Sequence, residues 1–407
     1  MAVNCPEPVA VRPVPGVRLA TAAAGIKATD RDDVAVLLLD PGSRVSGTFT
    51  RSHFKAAPVI LCEQALAAQA QVPIRALVIN SGNANAATGN PGLEDAQQIC
   101  AVVAKAAGVD GAVLPFSTGV IGERLPVPRI NAAIQACVPN ASADHWLAAA
   151  RAIMTTDTVA KVLSSQVEIG GTTINISGMT KGSGMIKPDM ATMLAYMACD
   201  AQIAQPLLDR LCRRLADTSF NRITVDGDTS TNDSFVLIAT GCADTPLLEQ
   251  ESDSGFLALE AALSAMATEL AQRMVRDAEG ATKFVTIVTR GAASTADARS
   301  VGFTIAESPL VKTALFAGDA NWGRLCMAIG RAPARVDPNR VTLHIGDHCI
   351  ARDGLVDVHY DEAQATEIMA ADEIVITCDL GLGDHTETIW TCDFSYDYVR
   401  INAEYRT

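Results

Sequence analysis

A chain of 407 residues, 49% of them hydrophobic, carries enough apolar side chain for a large core and, by its length, for two or three layers or domains. Its 32 Lys and Arg stand against 46 Asp and Glu, a formal net charge of −14 whose field repels nucleic-acid phosphates and anionic lipid. The eleven Cys are scattered singly, with no C-x-x-C pair, which argues against a disulfide framework and a structural metal.

Such thiols read as small buried apolar residues in a reducing compartment, so a cytoplasmic protein without metal or resident cofactor is expected. No basic patch followed by an apolar run opens the chain, and no apolar stretch reaches the roughly 18 residues that a membrane span needs. Neither secretion nor membrane insertion is expected.

In chain order, β-rich runs at 34–39, 57–62 and 74–80 predict strands, and Ala-rich stretches with 3.6-residue spacing at 93–108 and 142–154 predict helices. Between Gln166 and Ile176 apolar and polar residues alternate on both sides of Gly170-Gly171, the pattern of a β-hairpin. A longer amphipathic helix is predicted over 256–275, followed by strands at 284–289, 341–345 and 373–378. The fold class is α/β, mixed α+β in character. No low-complexity tract, repeat or Pro/Gly linker marks a boundary.

The least ordinary stretch begins at Lys181-Gly182-Ser183-Gly184. The glycines permit a tight turn or a close approach, and Lys181 adds a cation. Downstream, Pro188 predicts the start of a helix whose stripe of Met190, Met193, Leu194 and Met197 faces the core, with Thr192 in its first turns. Read from the residues alone, Gly-Ser-Gly is a turn, Lys181 a solvated side chain and Thr192 an ordinary helical threonine. A phosphate cradle lacks the fuller glycine spacing. Likewise Ser117-Thr118-Gly119 reads as a polar turn, Thr155 as part of a helix-ending polar cluster, Glu279 as a loop acid, and 402–407 as a frayed tail.

The run from Lys181 to Leu194, Lys-Gly-Ser-Gly-Met-Ile-Lys-Pro-Asp-Met-Ala-Thr-Met-Leu, resembles the signature of the ornithine acetyltransferase (glutamate N-acetyltransferase) family. Further segments resemble family motifs in family order: Asn80 to Asn85, Ser117 to Gly122, Asp226 to Asp233, Glu279 to Lys283, Gly318 to Arg324, and the terminal Tyr405-Arg406-Thr407. The resemblance implies layered sheets sandwiched by helices, of the self-processing ornithine acetyltransferase/aminopeptidase type. It also implies autocatalytic cleavage between Ala191 and Thr192, giving an α chain of residues 1–191 and a β chain of residues 192–407, two of each in a heterotetramer.

The implied chemistry is ping-pong acyl transfer. Thr Oγ can attack the preceding carbonyl, and the ester so formed hydrolyses more easily than an amide. The freed Thr192 amine, with a reference pKa of about 7.7–8.0, can then act as base for its own hydroxyl. Acetyl passes from N2-acetylornithine to Thr192 and on to L-glutamate, so no catalytic His is required of the six present. By resemblance the oxyanion donors lie at Thr118 and Gly119, each worth about 3 kcal/mol, and substrate contacts at Thr155, Lys181, Thr192, Glu279, Asn402 and Thr407.

Acetyl-CoA as a second donor, for synthesis of N-acetylglutamate from scratch, is left open, as is feedback by arginine or ornithine. Three positions depart from the family pattern: Ala87 for Cys, Asp189 for Asn and Ala278 for Gly. Asp189 adds negative charge near the developing oxyanion and is expected to slow self-cleavage, with Lys187 as an offset. Two rivals stand beside this reading, a self-processing aminopeptidase and an uncleaved amino-acid-binding protein.

Overall fold

The structure is a computed structural model that describes residues 2–8, 11–26, 31–187 and 193–404. Its strands are β1 Val17–Ala22, β2 Val34–Leu39, β3 Arg44–Phe49, β4 Ile74–Asn83, β5 Ala112–Val120, β6 Lys161–Ile169, β7 Thr172–Lys181, β8 Leu194–Cys199 and β9 Ser234–Ala239, then β10 Phe284–Ala292, β11 Thr342–Ile345, β12 His348–Arg352, β13 Leu355–Val356, β14 Glu373–Asp379 and β15 His385–Cys392. The helices are α1 Ala57–Ala67, α2 Gly89–Ala107, α3 Val127–Cys137, α4 Trp146–Ala152, α5 Gln205–Thr218, α6 Ser254–Arg276, α7 Thr295–Ala306, α8 Pro309–Ala317, α9 Trp322–Gly330, α10 Glu362–Met369 and α11 Tyr396–Ala403.

Three sheets organise the chain, with strand orders β1-β2-β4-β5, β3-β9-β8-β7-β6 and β13-β12-β11-β14-β10-β15. The first two stack face to face. In β2, Ala35, Leu37 and Leu39 point into a core shared with Val162, Met179 and Val236 of the second sheet, while Val34, Val36 and Leu38 pack on Ile99 and Val103 of α2 and Ile130 and Ile134 of α3. The second sheet turns its other face to Leu208 and Leu211 of α5 and Leu263 and Leu270 of α6. The order is helix, sheet, sheet, helix, so the layered sandwich is as expected. The third sheet packs Val285, Ile287 and Ile376 against α7, α8 and α9 through a separate core.

Two expected elements are corrected. The run 57–62 opens α1: Pro58 occupies its first turn, and Ala57, Pro58, Val59 and Cys62 are its buried positions. A short apolar run does not by itself distinguish a strand from a buried helix. The residues from Leu194 onward, expected in a helix, form β8, and all six are buried. Ala195, Met197 and Cys199 face the helical layer while Leu194, Tyr196 and Ala198 face the first sheet, so period-two burial on two apolar faces had mimicked a helical stripe. The expected helix start at Pro188, with Met190, lies outside the described residues.

The remaining expected strands and helices are present, the 142–154 helix trimmed to Trp146–Ala152. The hairpin pairs β6 with β7 antiparallel, Ile169 opposite Thr172, with both turn glycines at positive φ. No helix among the described residues is long and apolar enough to cross a membrane, and no group of three or more His, Cys, Asp or Glu among them is placed to hold a metal ion.

Candidate active site

The stacking brings chain ends from both sheets together. In the first sheet β4 and β5 run parallel with Asn80 beside Ser117, Ser81 beside Thr118 and Gly82 beside Gly119, so two polar motifs distant in sequence share one sheet end. Gly119 has φ +134°, and a Cβ there would sit 2.2 Å from the carbonyl carbon of Gly82. The polar turn expected at Ser117-Thr118-Gly119 is thus the end of a strand packed too closely for any side chain at Gly119. Asn232, just before β9, donates from Nδ2 to the carbonyls of Ala84 (2.6 Å) and Ser117 (2.8 Å) and ties the second sheet to this edge.

Lys181 ends β7, opposite Leu194 of β8. Its Nζ donates to Thr155 Oγ1 at 2.8 Å and Thr118 Oγ1 at 3.1 Å, and the residue is only 8% exposed. Burial, seconded by the like charge of Lys161, lowers its pKa below the usual lysine value against the pull of Asp157, Asp233 and Glu279. Lys181 is therefore a desolvated cation steadied by hydroxyls, not a solvated side chain.

Beneath it lies a buried ion triple. Lys161 Nζ reaches Asp157 Oδ1 at 2.6 Å and Asp277 Oδ2 at 2.5 Å, all three side chains being essentially inaccessible. Asp157 also accepts from the backbone N–H groups of Thr155 (3.0 Å) and Gly182 (2.8 Å), so one carboxylate fixes both the residue that hydrogen-bonds Lys181 and the residue that follows it. Burial opposes its ionisation, but the charges of Lys161 and Lys181 prevail and hold its carboxyl well below the usual range.

Glu279 closes the other side. Its backbone N–H donates to Ser183 O at 2.8 Å, and its Oε2 accepts from Asn402 Nδ2 of α11 at 2.9 Å. A Cβ on Gly184 would meet the Glu279 carboxylate at 2.4 Å, so this glycine serves a close approach to an acid and not a phosphate. The expected frayed tail is, as far as Ala403, part of a helix, with Tyr398 stacked on Phe394 at 4.5 Å.

Thr118, Gly119, Thr155, Lys181, Glu279 and Asn402 all line one cavity of about 130 Å³, with Met193 and Leu194 also on its wall. A cation and a carboxylate in one small cleft suit a zwitterionic amino acid. The model of the ArgJ family matches residues 18–407 of this chain. The chain belongs to the ArgJ family.

It is 50% identical, over the full length of both chains, to the arginine biosynthesis bifunctional protein ArgJ of Pseudomonas syringae pv. tomato. Among solved structures it is similar to the arginine biosynthesis bifunctional protein ArgJ of Bacillus halodurans, at 38% identity and a TM-score of 0.50, covering 52% of this chain and 99% of that one. It is also similar to the ornithine acetyltransferase of Mycobacterium tuberculosis complexed with ornithine, at 33% identity and a TM-score of 0.37, covering 45% of this chain and 95% of that one.

Of the residues expected at an ArgJ site, Ala191, Thr192 and Thr407, like the variant position Asp189, lie outside the described residues. Met193, the neighbour of Thr192, reaches the cavity. Thr156, Ser230, Thr231, Asn232 and Asp233 also line it and had no assigned role. For the last four the signal was the polar run Asp226 to Asp233 ahead of a strand that is apolar from Phe235 onward. Asp157 and Asp277 were missed too, because nothing local in the sequence announces that residues 120 apart flank one lysine.

Proposed function

We propose that this ArgJ-family chain transfers acetyl from N2-acetylornithine to L-glutamate by a ping-pong route through Thr192. The observation that carries the reading is a single small cavity joining a buried ammonium, Lys181, to a carboxylate, Glu279, with Met193 on its wall. In the first half-reaction the Thr192 amine takes the Oγ proton as Oγ bonds to the acetyl carbon. Thr118 and Gly119 stabilise the tetrahedral oxyanion. The amide C–N bond then breaks, the proton moves to the leaving nitrogen, and ornithine departs. In the second half the glutamate amine attacks the acetyl ester, the C–O bond breaks, and Thr192 recovers its proton.

In this reading Lys181 holds a substrate carboxylate, Glu279 a substrate amine, and Thr155, Asn402 and Thr407 orient the two. Maturation requires Thr192 Oγ to attack the Ala191 carbonyl, with water hydrolysing the resulting ester. A size relation supports cleavage: the Bacillus halodurans chain is matched over 99% of its length by 52% of these 407 residues, about 212, close to the length of residues 192–407. Two α and two β chains then form a cytoplasmic heterotetramer, whose native mass is expected near twice the 42.6 kDa of one chain.

A denaturing gel and an acetyl-transfer assay test this together. Two bands near half of 42.6 kDa are expected, with Thr192→Ala showing one band and no transfer. An intact, fully active chain, or acetyl found on another residue, would refute it. Equal consumption of N-acetylornithine with and without glutamate would make the protein a hydrolase of the aminopeptidase kind, and a single inactive band would make it a binding protein. Acetyl-CoA as sole donor, in the same assay, decides whether it loads Thr192 as a co-substrate.

A further inference from the structure

The helix α11 carries a residue of the cavity on very little packing. Six of its eight residues, Asn402 among them, are exposed, and only Tyr398 and Ile401 are half-buried. Two helical turns with so small an apolar contribution are marginal by themselves. Asn402 nevertheless lines the cavity and donates from Nδ2 to Glu279 Oε2 at 2.9 Å. Its placement therefore depends on a few specific contacts, and these converge on Tyr398.

The start of the helix is pressed onto the residue that follows Glu279. Ser395 Oγ accepts from the backbone N–H of Asp397 at 3.2 Å and donates to Gly280 O at 2.5 Å. Gly280 has φ +69°, and a Cβ there would lie 2.5 Å from Tyr398 N, so only glycine permits this approach. The Tyr398 ring stacks on Phe394, and its hydroxyl donates to Asp226 Oδ2 at 3.4 Å. The same Asp226 carboxylate accepts from the N–H groups of Met185 and Ile186. Burial, then the Asp226 charge, push the phenol above the usual tyrosine range, so it stays a donor. Tyr398 O accepts from Asn402 Nδ2 at 3.0 Å, the nitrogen that also serves Glu279. One residue thus grips Asn402 with its carbonyl and Asp226 with its side chain.

A tyrosine on an exposed helix ordinarily contributes only its ring, which phenylalanine would supply equally. Here the hydroxyl reaches a carboxylate fixed by two backbone N–H groups, which gives the helix an anchor against turning about its axis. We infer that Tyr398 is a positioning residue for substrate binding, its hydroxyl bond to Asp226 fixing α11 so that Asn402 stays on Glu279. Tyr398 itself is not among the residues lining the cavity. The inference rests on the acetyl-transfer reading for the substrate amine at Glu279.

Tyr398→Phe keeps the stack on Phe394 and removes the hydroxyl. Steady-state acetyl transfer and calorimetric titration with L-ornithine, both on the whole purified protein, test the role. Since the effect passes through Asn402, it is bounded by the loss of one hydrogen bond there. The KM for N2-acetylornithine should rise about three- to fivefold and ornithine should bind weaker by the same factor, with kcat within about twofold of wild type. The double variant Y398F/N402A should show a KM within about twofold of N402A alone, because both changes release the same contact. Unchanged KM and ornithine affinity in Tyr398→Phe, a fall in kcat alone, or single effects that multiply in the double variant overturn the inference. If the wild type transfers no acetyl yet Tyr398→Phe weakens ornithine binding, the acetyl-transfer reading fails and the positioning role stands. A wild type that neither transfers acetyl nor binds ornithine overturns both.

Discussion

Lys161→Met should remove about 4 kcal/mol of stability at pH 7, and the figure follows from the burial of its partners. The substitution strips the only cation among the described residues in hydrogen-bonding contact with Asp157 and Asp277, whose side chains are 0% and 1% exposed. Removing one partner of a buried pair costs about 3–5 kcal/mol. Asp157 can limit the loss by taking up a proton. Taking up that proton at pH 7, against an ordinary Asp pKa of about 3.9, costs about 1.36 kcal/mol for each of about three pH units. At pH 5 the same limit falls to about 1.5 kcal/mol.

The sign of the pH dependence therefore reverses. In the wild type the depressed Asp157 stabilises the fold above the unfolded-state pKa, and that contribution is lost only on strong acidification. In the variant the folded state carries an extra proton, so stability falls as pH rises from 5 to 8. Urea unfolding followed by tryptophan fluorescence reads both, since Trp146 is fully buried. A variant whose midpoint stays at the wild-type value at pH 7, or whose deficit grows on going to pH 5, would refute the reasoning.

Other expectations follow from the cavity. Lys181→Met deletes a buried charged donor worth about 1.5–3 kcal/mol, so the KM for glutamate should rise roughly 10- to 150-fold, and an unchanged KM would remove Lys181 from substrate binding. Because burial lowers the Lys181 pKa, the ammonium is lost before the ordinary lysine range is reached, and kcat/KM should decline at alkaline pH earlier than a free lysine would dictate; a profile flat to pH 10.5 speaks against that role. Gly119→Ala drives a Cβ into the Gly82 backbone and should cost about 1–3 kcal/mol in unfolding and most of the acetyl transfer, whereas retained activity would show that the two strands can part. Asn402→Ala loses the 2.9 Å bond to Glu279, worth about 1 kcal/mol, and should raise the KM about fivefold with a nearly unchanged melting temperature.

What the sequence disclosed depended on how local the cause was. The hairpin at Gly170-Gly171 was legible because turn chemistry and alternation lie within eleven residues. β8 was not, since an all-apolar run buried on two faces satisfies a helical stripe as well as a strand, and only its neighbours β7 and β9 decide between them. The same holds at the site. Lys181, Glu279 and Thr118 were identified through motif resemblance, but that Thr118 would accept from Lys181 across 63 residues depends on the stacking of two sheets. The ion triple has no motif at all. It exists only where the turn before β6 and the first residue of β6 meet the end of α6, and so it escaped notice.

The segment from Gly182 to Lys187 shows how these layers combine. It is a loop, yet it is fastened along its length by groups from different elements. Gly182 N–H donates to Asp157, Ser183 O accepts from Glu279 N–H, and Ser183 Oγ meets Thr156 Oγ1 at 2.7 Å. Met185 and Ile186 N–H donate to the Asp226 carboxylate at 2.7 and 2.9 Å, Ile186 O accepts from Val225 N–H, and Lys187 pairs with Glu307. At about 1 kcal/mol per bond, several kcal/mol oppose displacement of this loop. Under the proposed mechanism that rigidity has a chemical use, because the loop precedes Thr192 in the chain. A hydroxyl that must reach first the Ala191 carbonyl and then an acetyl carbon gains most when the chain before it cannot wander. The polar run Asp226 to Asp233 then has a physical reason: Asp226 holds the backbone of Met185 and Ile186 while Asn232 holds the strand end carrying Thr118.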